Sequence, residues 1–105
     1  MRVFVSPNLS ARMWSQRYFP CNLTLKSISR FRIRSLPPNS EVFGQLSIPL
    51  AAEVEDAGLK YFHLMLPGIR ELVSPTPEAI KALQPYFTLY RVQEIDSIQP
   101  EIIAA

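Results

Sequence analysis

The chain holds one cysteine, Cys21, and one histidine, His63, among 105 residues. A lone cysteine excludes an internal disulfide and any multi-cysteine zinc site. A single histidine makes a His-based metal centre an unpromising reading too, so neither metal nor cofactor is expected. Glycine is scarce, at three residues, and no Walker loop, G-x-G-x-x-G, H-E-x-x-H, C-x-x-C or nucleophile-elbow pattern occurs. Long apolar runs are missing as well. None approaches the roughly 20 residues that span a bilayer, and the N-terminus shows no basic-then-apolar leader pattern, so a cytoplasmic protein without a membrane partner is expected. Acid is absent from the first forty residues. That excludes local charge compensation there.

What is present describes a folded domain. Hydrophobic residues make up 48% and charged residues 19%, the balance of a globular chain rather than a disordered one. The length suits one domain, read as residues 1–98 with a tail at 99–105. A net charge of +2 conceals a segregation. Arg2, Arg12, Arg17, Lys26, Arg30, Arg32 and Arg34 carry the first forty residues, whereas all nine acids fall in 41–105 with four bases. Two readings stand side by side: an anionic partner, phosphate first, for the basic half, or neutralisation of one half by the other across a fold or subunit interface.

The stretch Glu41–Leu66 organises the chain. Val42-Phe43 ends at Gly44, a turn follows at 45–48, and Pro49 suits a helix's first residue. Leu50–Ala57 carries that helix, and Gly58 stops it. Leu59–Leu66 is an apolar run fit for a strand covered on both faces. One β-α-β unit results, with the segment Gly44–Ser47 beyond a strand end, where ligands bind in open parallel sheets. Arg2–Ser6 and Ala11–Phe19, with Ser10 as N-cap, repeat the pattern. The Ser6–Ser10 turn becomes a second strand-end loop at the same face, placed to offer backbone N–H groups to an anion or to serve as an ordinary connection. Period-2 spacing marks Cys21–Arg34 as a strand whose arginines either contact phosphate or guard a sheet edge. Thr76-Pro77-Glu78 starts another helix, and Tyr86–Ile95 forms a final edge strand.

Individual residues divide between chemistry and packing. His63 reads more readily as a hydrogen-bonded core residue than as a catalyst. Trp14, Tyr18 and Phe19 suit a core at helical spacing better than a base-stacking platform. Cys21 has no inferable cationic neighbour to make it reactive. Gln45 and Ser47 are the best small polar candidates, between a strand end and a helix start. Composition and spacing alone thus reach a small α/β domain with an anion-attracting face.

The central unit resembles a family. PPNSEVFGQLSIPLAAEV followed by KYFHL matches, in order and spacing, the pattern G-D-x-V-x-G-T-L-P-V-x-L-A-A-E-V to Y-x-H-L of the small stand-alone CRISPR-associated proteins of type III systems, the ring nuclease group. Gly44, Leu46, Leu50, Ala51, Ala52, Glu53, Val54 and His63 carry the match, and Phe4, Val5, Ser6, Ala11 and Trp14 fit the family's opening F-V-S-R-H-P-G-A and its tryptophan. Where the family has Arg-His-Pro-Gly, this chain has Pro7, Asn8, Leu9 and Ser10; its Thr is Gln45 and its Pro is Ser47.

The resemblance implies a single Rossmann-like α/β domain with a mostly parallel sheet of about five strands and about three helices. It also implies a homodimer that binds cyclic oligoadenylate, cyclic tetra-adenylate foremost, and cleaves it without metal by attack of a ribose 2′-OH on the adjacent phosphate. In that setting Ser6 and Asn8 are the catalytic candidates. Ser10, Gly44, Gln45, Ser47, Arg30 and Arg70 are the ligand-binding ones. A non-catalytic sponge for the same messenger is the alternative. A third reading is an interaction subunit whose basic half binds an acidic partner or RNA, and stable DNA binding is not expected.

Overall fold

A computed structural model describes residues 1–68 and 76–100. In chain order the elements are β1 (Arg2–Val5), α1 (Leu9–Tyr18), β2 (Leu23–Leu25), α2 (Arg30–Ser35), β3 (Glu41–Gly44), α3 (Ile48–Asp56), β4 (Lys60–Met65), α4 (Pro77–Ala82) and β5 (Tyr86–Tyr90). The five strands form one sheet in the order β2-β1-β3-β4-β5. All pairings are parallel except β4 with β5. From β1 the chain moves outward to β2; from β3 it moves outward the other way to β4. Strand order therefore reverses between β1 and β3, which makes their carboxyl ends the switch point of the sheet.

Alternation along the strands sends side chains to two cores. Val3, Val5, Val42 and Tyr61 pack with Ile28, Ile33, Ala51 and Val54, so α2 and α3 cover one face. Phe4, Phe43 and Leu64 pack with Ala11, Trp14 and Ile80, so α1 and α4 cover the other. The second core is aromatic: Phe19 sits 4.8 Å from both Phe43 and Phe87, and Phe43 stacks on Phe62 at 4.6 Å. Trp14 and Phe19 belong to this packing. Tyr18 lies outside it, its ring beneath Lys81 Nζ at 4.4 Å.

Several boundaries differ from the sequence reading. Cys21–Arg34 is not one strand: β2 stops at Leu25 and the arginines ride on α2, a fourth helix. Phe31 and Ile33 decide the matter. Two residues apart, they would share one face of a strand, yet Phe31 is 80% exposed and Ile33 2%. A helical turn separates them, begun by the Ser29 hydroxyl, which accepts from Arg32 N. Asn8, not Ser10, caps α1, its side chain accepting from Ala11 N, because Ser10 already lies within the helix. Pro49 is the second residue of α3, not the first, and β5 ends at Tyr90, not Ile95. Thr76 caps α4 as the sequence indicates. Gly58 ends the α3 turn at φ +75°. Residues 69–75, Arg70 among them, lie outside the described residues. No helix among the described residues is long and apolar enough to cross a membrane.

Candidate functional site

Gly44 fixes how closely β1 and β3 approach. It pairs with Val5 in register and adopts φ +132°, a conformation side chains rarely take; a Cβ here would stand 1.9 Å from the Val5 carbonyl oxygen. Without that carbon, Gln45 N donates to Val5 O at 2.8 Å. The two strand-end loops then meet side chain to side chain. Ser6 Oγ donates to Gln45 Oε1 at 2.8 Å and accepts from Asn8 N at 3.1 Å. Ser6 is 0% exposed, so its hydroxyl acts as a clasp between the loops. Asn8 is held by its capping bond to Ala11 N at 3.2 Å.

Arg12 completes the rim. Its Nη1 donates to the Ser6 carbonyl oxygen at 2.7 Å, which places a guanidinium on the first turns of α1 at the switch point. Among the described residues it forms no ion pair. The pairs found there are Arg2–Glu41, Arg17–Glu78, Arg30–Glu53 and Arg91–Glu55. Three of those four join the basic first forty residues to acids further along, so the segregated charges partly neutralise one another across the fold. Among the described residues Arg12 lies outside that compensation, as do Lys26, Arg32 and Arg34, and of these Arg12 is the one hydrogen-bonded to the β1 strand-end loop. Ser47 opens α3 in extended conformation with no side-chain capping bond, so its hydroxyl does not satisfy the first helical N–H groups. Guanidinium, amide and hydroxyl groups supply position and positive charge here, rather than a general base.

On the opposite side of the same loop stands a second network. Tyr61 is buried, and its hydroxyl accepts from Leu46 N at 2.8 Å. It also lies 3.3 Å from Gly44 O and 2.6 Å from His63 Nδ1. Burial raises the Tyr61 pKa, and the Leu46 N–H, which favours the phenolate, opposes that shift. His63 is thus half-buried and hydrogen-bonded, with its ring edge-on to Tyr90 at 6.1 Å. A groove of about 330 Å³ opens beside it, bounded by Leu46, Ile48, Met65 and Tyr90.

Of the residues singled out from sequence, Ser6, Asn8, Gly44 and Gln45 come together at the switch point, and Ser47 follows on the same loop. Ser10 sits half-buried in the first turn of α1. Arg30 is not brought to the rim: its Nε and Nη2 bind Glu53 Oε1 at 3.2 and 3.1 Å on the flank of α3. Arg12 and Tyr61 are functional candidates that sequence reasoning misses. An asparagine cap at position 8 would have put Arg12 beside the loop, and a spacing of two along a strand puts Tyr61 on the side of His63. Cys21 is half-buried, its Sγ 3.4 Å from Thr24 Oγ1. No protein-family model matches the chain, and comparisons with curated proteins and with solved structures return no match.

Proposed function

We propose that this Rossmann-like domain binds a nucleotide phosphodiester at the β1/β3 switch point, and that the ligand is cyclic oligoadenylate held between two copies of the chain. One observation carries the reading. Arg12, uncompensated by any acid among the described residues, is pinned to the Ser6 carbonyl at the position where open α/β sheets take ligands. A guanidinium fork suits phosphate oxygens, and the N-terminal turns of α1 and α3 add N–H groups of the same polarity. The sequence resemblance at Gly44–Val54 and Tyr61–His63 narrows the ligand class to adenylate rings.

Ring opening would follow from geometry more than from proton transfer. Holding a ribose 2′-OH in line with its own phosphorus, with positive charge on the non-bridging oxygens, lowers the barrier to forming a 2′,3′-cyclic phosphate. The second reading, sequestration without cleavage, is favoured by one specific fact: the Ser6 hydroxyl and the Asn8 side chain are both engaged within the chain. Incubating the purified protein with cyclic tetra-adenylate in EDTA separates the readings. Linear products identify a ring nuclease and tight binding of an intact ring identifies a sponge. Absence of binding removes both and leaves a protein- or RNA-binding role for the basic half.

A further inference from the structure

The groove beside His63 has the composition of a base pocket, not of an anion site. Its walls are Leu46, Ile48 and Met65 with the ring of Tyr90, and among the described residues no acid, lysine or arginine lines it. Its volume of about 330 Å³ falls at the small end of ligand pockets, which combine apolar walls with few polar groups. The polar groups come from His63 and from Tyr61 behind it. His63 Nδ1 lies 2.6 Å from the Tyr61 hydroxyl, against 3.3 Å from that hydroxyl to Gly44 O. The Tyr61 hydroxyl has both acceptors in range, so Nε2 carries the ring proton when Tyr61 donates to Nδ1 and is the acceptor when Nδ1 donates to Tyr61. Among the described residues Nε2 has no hydrogen-bond partner. It is open to solvent at the side of an apolar slot, since among the described residues no buried side-chain nitrogen is left without a partner.

Consecutive residues tie this slot to the rim. Gln45 turns toward β1 and bonds Ser6, while Leu46 gives its N–H to Tyr61 and its side chain to the groove. Ile48, the first residue of α3, is 76% exposed at the mouth. A phosphate on one side of the Gln45–Ile48 loop would therefore have a flat neutral ring within reach on the other. We infer that the groove between α3 and β5 is a purine-base subsite, in which His63 Nε2 hydrogen-bonds the purine edge, as donor to a ring nitrogen or as acceptor from an exocyclic amine, and Tyr90 and Ile48 flank the plane. This assignment rests on the reading of the rim as a nucleotide site and deepens it.

His63 is the sole histidine, so its imidazole signals in proton NMR need no assignment by mutation. The intact protein is titrated with adenosine, with adenosine 5′-monophosphate and with cyclic tetra-adenylate. Adenosine is expected to shift the His63 ring protons saturably, and the monophosphate to do so at lower concentration. Ile48→Glu and Tyr90→Ala, at solvent-facing positions, should each weaken the adenosine response about tenfold while leaving the remaining spectrum folded. His63 signals that stay fixed at millimolar adenosine overturn the inference. So do His63 signals that change position with protein concentration alone, beyond the uniform broadening that pairing of two copies brings, which would show a second copy covering the groove. Cyclic tetra-adenylate bound with His63 unmoved also overturns the base subsite, yet leaves the rim reading standing. Adenosine shifts without ring binding do the reverse.

Discussion

Replacing Gly44 by alanine tests the geometry on which the candidate site is built. The added Cβ would meet Val5 O at 1.9 Å and the Val5 carbonyl carbon at 2.8 Å. Both are backbone atoms of a central strand, so no rotamer change relieves the overlap. The φ of +132° adds strain of about 1–3 kcal/mol for a non-glycine residue. Parting β1 from β3 also stretches the Gln45 N to Val5 O bond, worth about 1 kcal/mol. A loss of roughly 3 kcal/mol or more follows, against a total of about 5–15 for a small domain. Gly58 is the control: its φ is +75° but nothing lies within 4 Å of where a Cβ would stand, so Gly58→Ala should cost only about 1–2 kcal/mol from the left-handed backbone. Urea unfolding followed by Trp14 fluorescence reads both variants. With a slope of about 1.5 kcal/mol/M, Gly44→Ala should lower the midpoint by about 2 M. A Gly44→Ala midpoint no lower than that of Gly58→Ala would refute the close approach of β1 and β3.

Three further outcomes are expected. Arg12→Ala should weaken binding of cyclic tetra-adenylate by about 10- to 100-fold, the worth of a charged hydrogen bond, and calorimetric titration showing unchanged affinity would remove Arg12 from the site. Asn8→Ala should lower stability by about 1 kcal/mol through loss of the α1 cap, measured as a urea midpoint; Ser10→Ala, inside the helix, should leave it nearly unchanged. The raised Tyr61 pKa means that the native state retains its phenolic proton where the unfolded chain has lost it. Stability from this group is therefore full below about pH 10 and declines as pH rises from there through the higher native value. Subtracting the stability profile of Tyr61→Phe from that of the unaltered chain isolates this decline, and parallel profiles above pH 10 would contradict it.

Much of the fold is legible in the sequence because its signals are local. Pro49 and Gly58 bracket α3, Thr76-Pro77-Glu78 starts α4, and the apolar run from Leu59 gives β4. The strand-like look of Arg30–Arg34 has an equally local origin. Arginines at alternate positions mimic a strand when only their spacing is weighed, whereas the burial of Ile33 and exposure of Phe31 belong to a helix packed on α3. Ser10 resembles a cap because serine and asparagine compete for that role within three residues. Only the folded backbone shows that Asn8 holds the extended conformation a cap needs.

The sequence by itself determined that a chain with these stops and apolar runs forms an α/β sheet, and that the loops after β1 and β3 are its polar strand ends. Period, turn chemistry and capping act over a few residues, so they survive reading along one dimension. Tertiary structure alone decided that Ser6 clasps Gln45, that Arg30 pairs with Glu53 while Arg12 binds the Ser6 carbonyl, and that Tyr61 links His63 to the Leu46 amide. Those contacts join residues 15 to 39 positions apart, or turn on which side of a strand end a side chain leaves. The order of strands fixes them, and no spacing along the chain encodes that order.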